Sequence, residues 1–132
     1  MNCENNCNNN CIHDLLKRIY LLQKQDCGGR NISGCDKPFL GPIPTEACYN
    51  TRPVRLYNCG TLSWTFTYTI DDVQYTSDVL RIENIEDDCG IFRILYLDTA
   101  TNEYIATNDF VTIDLGCIGA VRCLPDTFVN LC

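Results

Sequence analysis

The chain has 132 residues, enough for one domain that buries roughly two thirds of its unfolded surface. With 17 acidic and 10 basic residues its net charge is −7, and its arginines are scattered along the chain. Binding to nucleic acid or to anionic lipid needs a clustered basic surface, so the charge pattern argues against both partners. No stretch approaches the ~20 consecutive apolar residues of a transmembrane helix, and we expect no membrane partner.

The start of the chain is Asn-rich and low in complexity, and we predict that residues 1–11 form a flexible arm. Cys3, Cys7 and Cys11 recur in it at every fourth position. Because Asn is a poor helix former, we expect a mobile set of thiols rather than one helical face. The arm has neither a basic start nor an apolar run, so we expect no signal peptide.

Residues 12–132 are predicted to form a single domain that begins with an amphipathic helix over residues 12–25. The apolar residues at helical spacing are Ile12, Leu15, Leu16, Ile19 and Leu22. Asn10 can cap the start of this helix, and Gly28 follows its end. Two interpretations stay open: the helix packs on the sheet of its own chain, or it docks on a neighbouring subunit.

Residues 26–53 are predicted to be irregular, because Gly and Pro interrupt every candidate element. Strands follow from residue 54 onward. The clearest one is Leu62–Ile70, where apolar residues alternate strictly with Ser and Thr, as in a strand with one buried face. Asp71 and Asp72 predict a hairpin turn after it.

The other predicted strands are short and regularly spaced. They are Val54–Asn58, Val73–Thr76, Val79–Ile85, Ile91–Leu97, Tyr104–Thr107, Phe110–Leu115 and Ile118–Leu124. The continuous apolar run of Ile91–Leu97 predicts a central strand that is covered on both faces. Together these strands predict a mainly β fold over residues 54–132, an antiparallel β-sandwich of jelly-roll-like type.

The cysteines are the feature most informative about function. The chain has eleven cysteines, a content typical of proteins in oxidising surroundings. This conflicts with the expectation that there is no export signal. Because eleven is odd, at least one thiol must remain unpaired within the chain or bond to another chain. Most cysteines lie on the arm, beside Gly in predicted turns or at the last residue, where a neighbouring molecule could reach them.

Other chemistry has weak support, and we expect no cofactor, metal site or catalytic residue. The cysteine spacings lack the close pairs that are typical of zinc modules. His13 is the only histidine and is expected on the polar face of the helix, so a Cys–His catalytic pair lacks an orienting group. The acidic run from Glu83 to Asp88 does not match an EF-hand loop and predicts a solvated turn.

Five blocks of sequence run in order over residues 11–126. They are Cys11-Ile12 with Leu22-Gln23, Cys35–Gly41, Asn50–Pro53 with Leu56-Tyr57, Arg81–Cys89 with Arg93–Leu95, and Val111–Cys117 with Arg122–Leu124. In this order, and in register with the cysteines, they resemble the spore coat protein Y/Z family, which includes the exosporium protein Y of endospore-forming bacilli.

The resemblance implies a non-enzymatic structural protein of the spore surface, in the outer coat, the crust or the exosporium. Members of this family self-assemble into hexagonal two-dimensional lattices that disulfides harden. They are made in the mother-cell cytoplasm without a signal peptide, which would reconcile the cysteine content with the missing export signal. The implied partners are further copies of the chain, as hexamers within a lattice, and other coat or exosporium proteins.

We therefore expect a rigid β-sandwich subunit that noncovalent contacts assemble and disulfides then lock. The expected inter-subunit thiols are Cys3, Cys7, Cys11 and Cys132, followed by Cys27, Cys35 and Cys48. The expected intrachain or buried thiols are Cys59, Cys89, Cys117 and Cys123. Two alternatives remain at this point: a monomeric, disulfide-stapled extracellular binding module, and a cysteine-rich metal-binding protein.

Overall fold

The computed structural model describes residues 10–24, 49–60 and 62–131. The elements in these ranges are α1 (Asn10–Gln23), β1 (Val54–Asn58), β2 (Phe66–Ile70), β3 (Val73–Ser77), β4 (Val79–Ile85), β5 (Cys89–Asp98), β6 (Glu103–Asp114) and β7 (Ile118–Cys123), with a 3₁₀ turn at Leu115–Cys117. The predicted arm up to residue 9 and the predicted irregular segment up to residue 48 lie outside the described residues.

The strands form two antiparallel sheets. One has five strands in the order β6-β5-β4-β1-β7, and the other is the β2-β3 hairpin. The hairpin packs on the larger sheet through Tyr68, whose ring stacks on Tyr96 of β5 with centroids 5.2 Å apart. The chain is thus mainly β with antiparallel sheets and one N-terminal helix, which confirms the predicted fold class. Among the described residues, α1 and the hairpin make up the second layer of the sandwich.

The core lies between this layer and one face of the five-stranded sheet, here called the core face. Leu80, Phe92 and Ile94 project from the core face and are almost completely buried. The opposite face, here called the outer face, carries a smaller apolar cluster around Leu95 and Val129. Phe92 and Leu95 are both fully buried, so β5 is covered on both faces, as its continuous apolar run predicted.

The described part of α1 packs on the sheet of its own chain, which agrees with the first of the two interpretations for this helix. Leu16 and Ile19 are buried against the core face, and α1 contacts β4 and β7. Gln23 fixes the helix end, because its side chain donates to the carbonyl of Ile82 at 2.7 Å and accepts from the Arg52 amide at 3.0 Å. The helix begins and ends two residues earlier than predicted, so Cys11 belongs to α1.

The predicted strand Leu62–Ile70 divides between the two sheets. Its alternation is confirmed from residue 63 onward, since Ser63, Thr65, Thr67 and Thr69 are exposed and the residues between them are buried or half-buried, whereas Leu62 is exposed. Its first part bonds to β1, with the Trp64 amide donating to Leu56 at 3.0 Å, whereas its last five residues pair with β3 as β2. The chain therefore passes from one layer to the other at this point, as strands do at sandwich corners.

Two other local features set the sheet geometry. Asp71 and Asp72 have φ values of 51° and 65°, the pair of left-handed residues that a tight hairpin needs, which confirms the predicted turn. The two predicted strands between residues 104 and 115 are one strand, β6, with a bulge at 107–109 opposite Ile94. Thr107 stabilises the bulge, because its hydroxyl donates to the Ile94 carbonyl at 2.7 Å and accepts from the Asp109 amide at 3.1 Å.

Replacing Leu16 tests whether α1 is part of the fold of its own chain. We expect Leu16→Ala to lower the free energy of unfolding by about 2–5 kcal/mol, because it removes a fully buried side chain and leaves a cavity. Leu21→Ala is the matched control on the exposed side of α1 and should change it by less than about 0.5 kcal/mol. Equal effects of the two variants in chemical denaturation would contradict this packing.

Candidate functional site

The structure describes five of the eleven cysteines and leaves the positions of the others undescribed. Those outside the described residues are Cys3, Cys7, Cys27, Cys35, Cys48 and Cys132. That these six thiols join subunits therefore stays a prediction.

Exposure differs among the described cysteines. Cys11 is exposed in the first turn of α1, and Cys123 is an exposed free thiol at the end of β7. Cys89 is a half-buried free thiol at the start of β5. Sequence reasoning grouped Cys123 with the intrachain or buried thiols, but β7 is an outer strand of the sheet, so the end of this strand stays open to solvent.

Cys59 and Cys117 meet at the corner where β1 ends and the 3₁₀ turn leads into β7. Cys59 is half-buried and disulfide-bonded, and its sulfur lies 3.9 Å from the Cys117 carbonyl oxygen. Cys117 is almost fully buried. The corner is close-packed, since a Cβ on Gly119 would lie 2.5 Å from the Asn58 carbonyl oxygen. Gly119 is therefore the residue that lets β7 approach β1 here.

The described residues hold no group of three or more His, Cys, Asp or Glu side chains that could bind a metal ion. His13 is half-buried on α1, and its Nδ1 lies 3.6 Å from the Asp14 carboxylate. Glu86, Asp87 and Asp88 are all exposed in the turn before β5, as the sequence predicted, but Glu83 of the same acidic run lies in β4 and is shielded by Arg81 and Arg93. No described helix has the length and apolar character needed to cross a membrane.

The outer face contains an ion cluster that sequence reasoning missed. Arg81 on β4 and Arg93 on β5 are direct cross-strand neighbours, and both bond to the same carboxylate oxygen of Glu83 at 2.9 Å. Arg81 is buried, while the other two side chains are largely shielded from solvent. The available signal was the pattern Arg81-x-Glu83 within a strand, because residues two apart share a face.

The cluster contains two arginines and one glutamate, and the guanidinium groups also contact neutral oxygen atoms and an aromatic ring. Arg81 donates to the Thr51 hydroxyl at 2.9 Å and to the Asn50 carbonyl at 3.0 Å. Arg93 donates to the Thr107 carbonyl at 3.2 Å and lies 4.5 Å from the ring centroid of Phe110. The cluster therefore ties β4 and β5 to the segment before β1 and to the bulge of β6.

The segment after β7 is fastened across the same face. Arg52 holds Asp126 in a two-pronged ion pair at 2.6 and 2.8 Å, and this hydrogen bond lowers the pKa of Asp126 below its usual range. The Asn50 side chain bonds both the amide and the carbonyl of Val129, at 2.9 and 2.8 Å. Val129 is consequently buried over the outer face.

The tyrosines of the hairpin form a stack on the core face. Tyr68 lies between Tyr75 and Tyr96, with centroid distances of 5.5 and 5.2 Å. Burial raises the pKa of Tyr68 above its ordinary value, and the two neighbouring tyrosines raise it further. Tyr68 therefore stays protonated at physiological pH and serves as an aromatic packing residue between the two layers.

The Arg52–Asp126 pair predicts a pH-dependent contribution to stability. Because the folded-state pKa of Asp126 is lowered, this contribution is full above the usual Asp pKa of about 3.9 and is lost as pH falls through the folded-state value. At pH 7 we expect Asp126→Asn to destabilise by no more than about 1 kcal/mol, because the pair is partly exposed.

The measurement is denaturant unfolding of Asp126→Asn and the parent chain between pH 7 and pH 3. The difference between them should shrink toward acid. Glu103→Gln is the control, since Glu103 is exposed and makes no ion pair with any described residue. A difference that stays constant down to pH 3 would mean that the pair contributes nothing through the charge of Asp126.

Comparison with known proteins gives one family. The model of the family described as Spore coat protein Z matches residues 1–105, which is well over half of the chain. Searches of curated proteins and of solved structures found no match. The matched residues contain α1 and β1 to β5, and they contain eight of the eleven cysteines. The chain therefore belongs to the spore coat protein Z family, and its role is that of a structural protein of the spore coat.

Proposed function

We propose that the protein self-assembles into hexamers and that these form a two-dimensional hexagonal lattice. Disulfides between subunits then harden the lattice. Its place is the spore surface, in the outer coat, the crust or the exosporium, after synthesis in the mother-cell cytoplasm. Its partners are other copies of the chain and other coat proteins. It has no catalytic, cofactor or metal site in this proposal.

The observation that carries this proposal is the free thiol of Cys123, which is exposed on an outer strand of a well-packed sheet. A thiol fixed at the rim of a rigid body can meet a thiol of a neighbouring body only in particular arrangements. The odd number of cysteines also supports the proposal, because at most ten of the eleven can pair within one chain.

The thiols proposed to join subunits are Cys3, Cys7, Cys11 and Cys132, then Cys27, Cys35 and Cys48, with Cys123 added on account of its exposure. Cys59, Cys89 and Cys117 stay assigned to intrachain or buried roles, and the cysteine that is disulfide-bonded to Cys59 within the chain is not available to a neighbour. Cys11 lies at the surface in the first turn of α1. A disulfide from Cys11 to a neighbouring subunit would therefore not disturb the buried side of α1.

Noncovalent contacts must set the geometry first, because random oxidation of many thiols gives no ordered lattice. The described surface offers apolar side chains for such contacts. Leu62, Phe128 and Leu21 are 69%, 58% and 54% exposed, respectively, and none of them belongs to the buried core. Disulfide exchange would then select the pairs of thiols that the assembled geometry already brings together.

Non-reducing electrophoresis tests the crosslinking. We expect the oxidised protein to give a ladder of multimers that collapses to one band with reductant. Cys123→Ser should lower the yield of the ladder, and the combined change of Cys3, Cys7 and Cys11 to Ser should lower it more. Cys89→Ser is the matched control, because this thiol is half-buried and should contribute little. A single monomer band from the oxidised parent chain would instead favour a monomeric, internally stapled binding module.

A further inference from the structure

The five-stranded sheet ends in two outer strands of opposite charge. Among the described residues, β6 and β7 each pair with another strand on one side only. An outer strand presents unpaired backbone N–H and C=O groups that can accept a strand from another molecule. β6 contains three acidic residues and no basic one, whereas β7 contains Arg122 and no acidic residue.

The bulge at 107–109 determines which part of β6 can accept a strand. Bulges disturb the regular spacing of backbone groups and so protect an outer strand from pairing. The hairpin is also bonded there, since the Thr69 amide donates to the Asp109 carboxylate at 2.9 Å. Beyond the bulge, residues 110–114 pair with β5 in continuous register, from Phe110 opposite Arg93 to Asp114 opposite Cys89. This segment is the regular part of the acidic edge.

The basic edge carries an uncompensated charge. Arg122 is exposed and makes no ion pair with any described residue. The residue opposite it on β1 is Arg55, another cation, and the Asp78 carboxylate lies 3.3 Å from Arg55. The only other exposed residue of β7 is Cys123, and the half-buried residues Gly119, Ala120 and Val121 are small or apolar, so the backbone of a second molecule could approach closely.

Arg122 and Asp114 lie on the same face of the sheet. Arg122 shares the outer face with Arg55, its cross-strand partner. Phe110 is opposite Arg93 of the ion cluster on that face, and Asp114 follows Phe110 by four residues, so it projects to the same side. In a sheet continued from one molecule to the next, these two side chains could therefore be neighbours. Asp114 is exposed, and one of its oxygen atoms accepts from the Gly116 amide at 2.9 Å.

We infer that residues 110–114 on β6 of one copy pair with β7 of the next copy, with Asp114 beside Arg122. This inference rests on the self-assembly proposed above and names the surfaces that perform it. Pairing of like edges is disfavoured, because it would bring together either two acidic edges or two arginines. The contact is thus heterologous, and a heterologous contact forms a ring when its rotation closes.

Ring closure also fixes the strand direction. In a ring of three or more copies, the rotation between neighbours cannot reverse a strand, so β7 would run parallel to β6 of the next copy. With Arg122 beside Asp114 in that direction, Ile118 lies level with Phe110. β7 has its own irregularity at Gly119, where its register with β1 shifts, so the regular overlap is that of residues 120–122 with residues 112–114 of β6.

Charge reversal at Arg122 tests the contact. Sedimentation velocity in reductant would compare the parent chain with Arg122→Glu, whose dissociation constant for assembly should rise by about tenfold or more. Lys17→Glu is the matched control, because it makes the same charge change on the exposed side of α1 and should assemble like the parent. Asp114→Asn should also weaken assembly, because it removes the negative charge beside Arg122. Its amide oxygen can still accept the hydrogen bond from the Gly116 amide, so the local fold should be kept.

A mixing experiment separates this contact from a loss of folding. Arg122→Glu and Asp114→Lys should each fail to assemble alone, yet a mixture of equal amounts should assemble, because each variant offers the edge that the other needs. Circular dichroism of each variant would show that it is folded. Arg122→Glu assembling as well as the parent would overturn the inference and leave the lattice proposal intact. A parent chain that stays monomeric would remove both.

Discussion

The fold depends on the burial of one face of the five-stranded sheet. Leu80, Phe92 and Ile94 project from this face and are covered by α1 on one side and by the β2-β3 hairpin on the other. Neither covering element has much core of its own, so both depend on the sheet for their positions. The burial of apolar surface between the layers is the dominant stabilising term.

The opposite face is organised by charge. Arg81, Glu83 and Arg93 form a shielded cluster, and the segment after β7 crosses the face through Asn50 and the Arg52–Asp126 pair. Removing one partner of such a shielded cluster leaves an uncompensated charge, so the loss of any one of the three residues is expected to be destabilising. On the described surface, the backbone edges, the exposed apolar side chains and the exposed thiol of Cys123 are available for contacts with neighbours.

Much of the fold could be predicted from the sequence where the signal is local. The bounds of β1 and β4 agree with the predicted strands, and the Asp71-Asp72 turn was found because two adjacent Asp residues tolerate left-handed φ values. The division of Leu62–Ile70 between two sheets was not predicted, because alternation continues through the corner and does not show which strand is the partner. The merging of two strands into β6 depends on Thr107, whose side chain bonds within the bulge.

The candidate site was predictable in kind but not in position. The number and placement of cysteines and the resemblance to coat proteins indicated a structural protein, and the family match agrees. The accessibility of Cys123 and the opposite charges of the two outer strands could not be predicted, because both follow from the strand order β6-β5-β4-β1-β7. That order depends on contacts between residues distant in sequence, and a period-two pattern carries no information about them.

The central claim is that noncovalent contacts set an ordered lattice, which disulfides then harden. Negative-stain electron microscopy of the purified protein with and without strong reductant tests it most directly. The account predicts ordered sheets or tubes in both conditions, with the oxidised ones more resistant to dissociation. Order that appears only after oxidation would show that the thiols build the lattice, and dispersed monomers in both conditions would contradict self-assembly altogether.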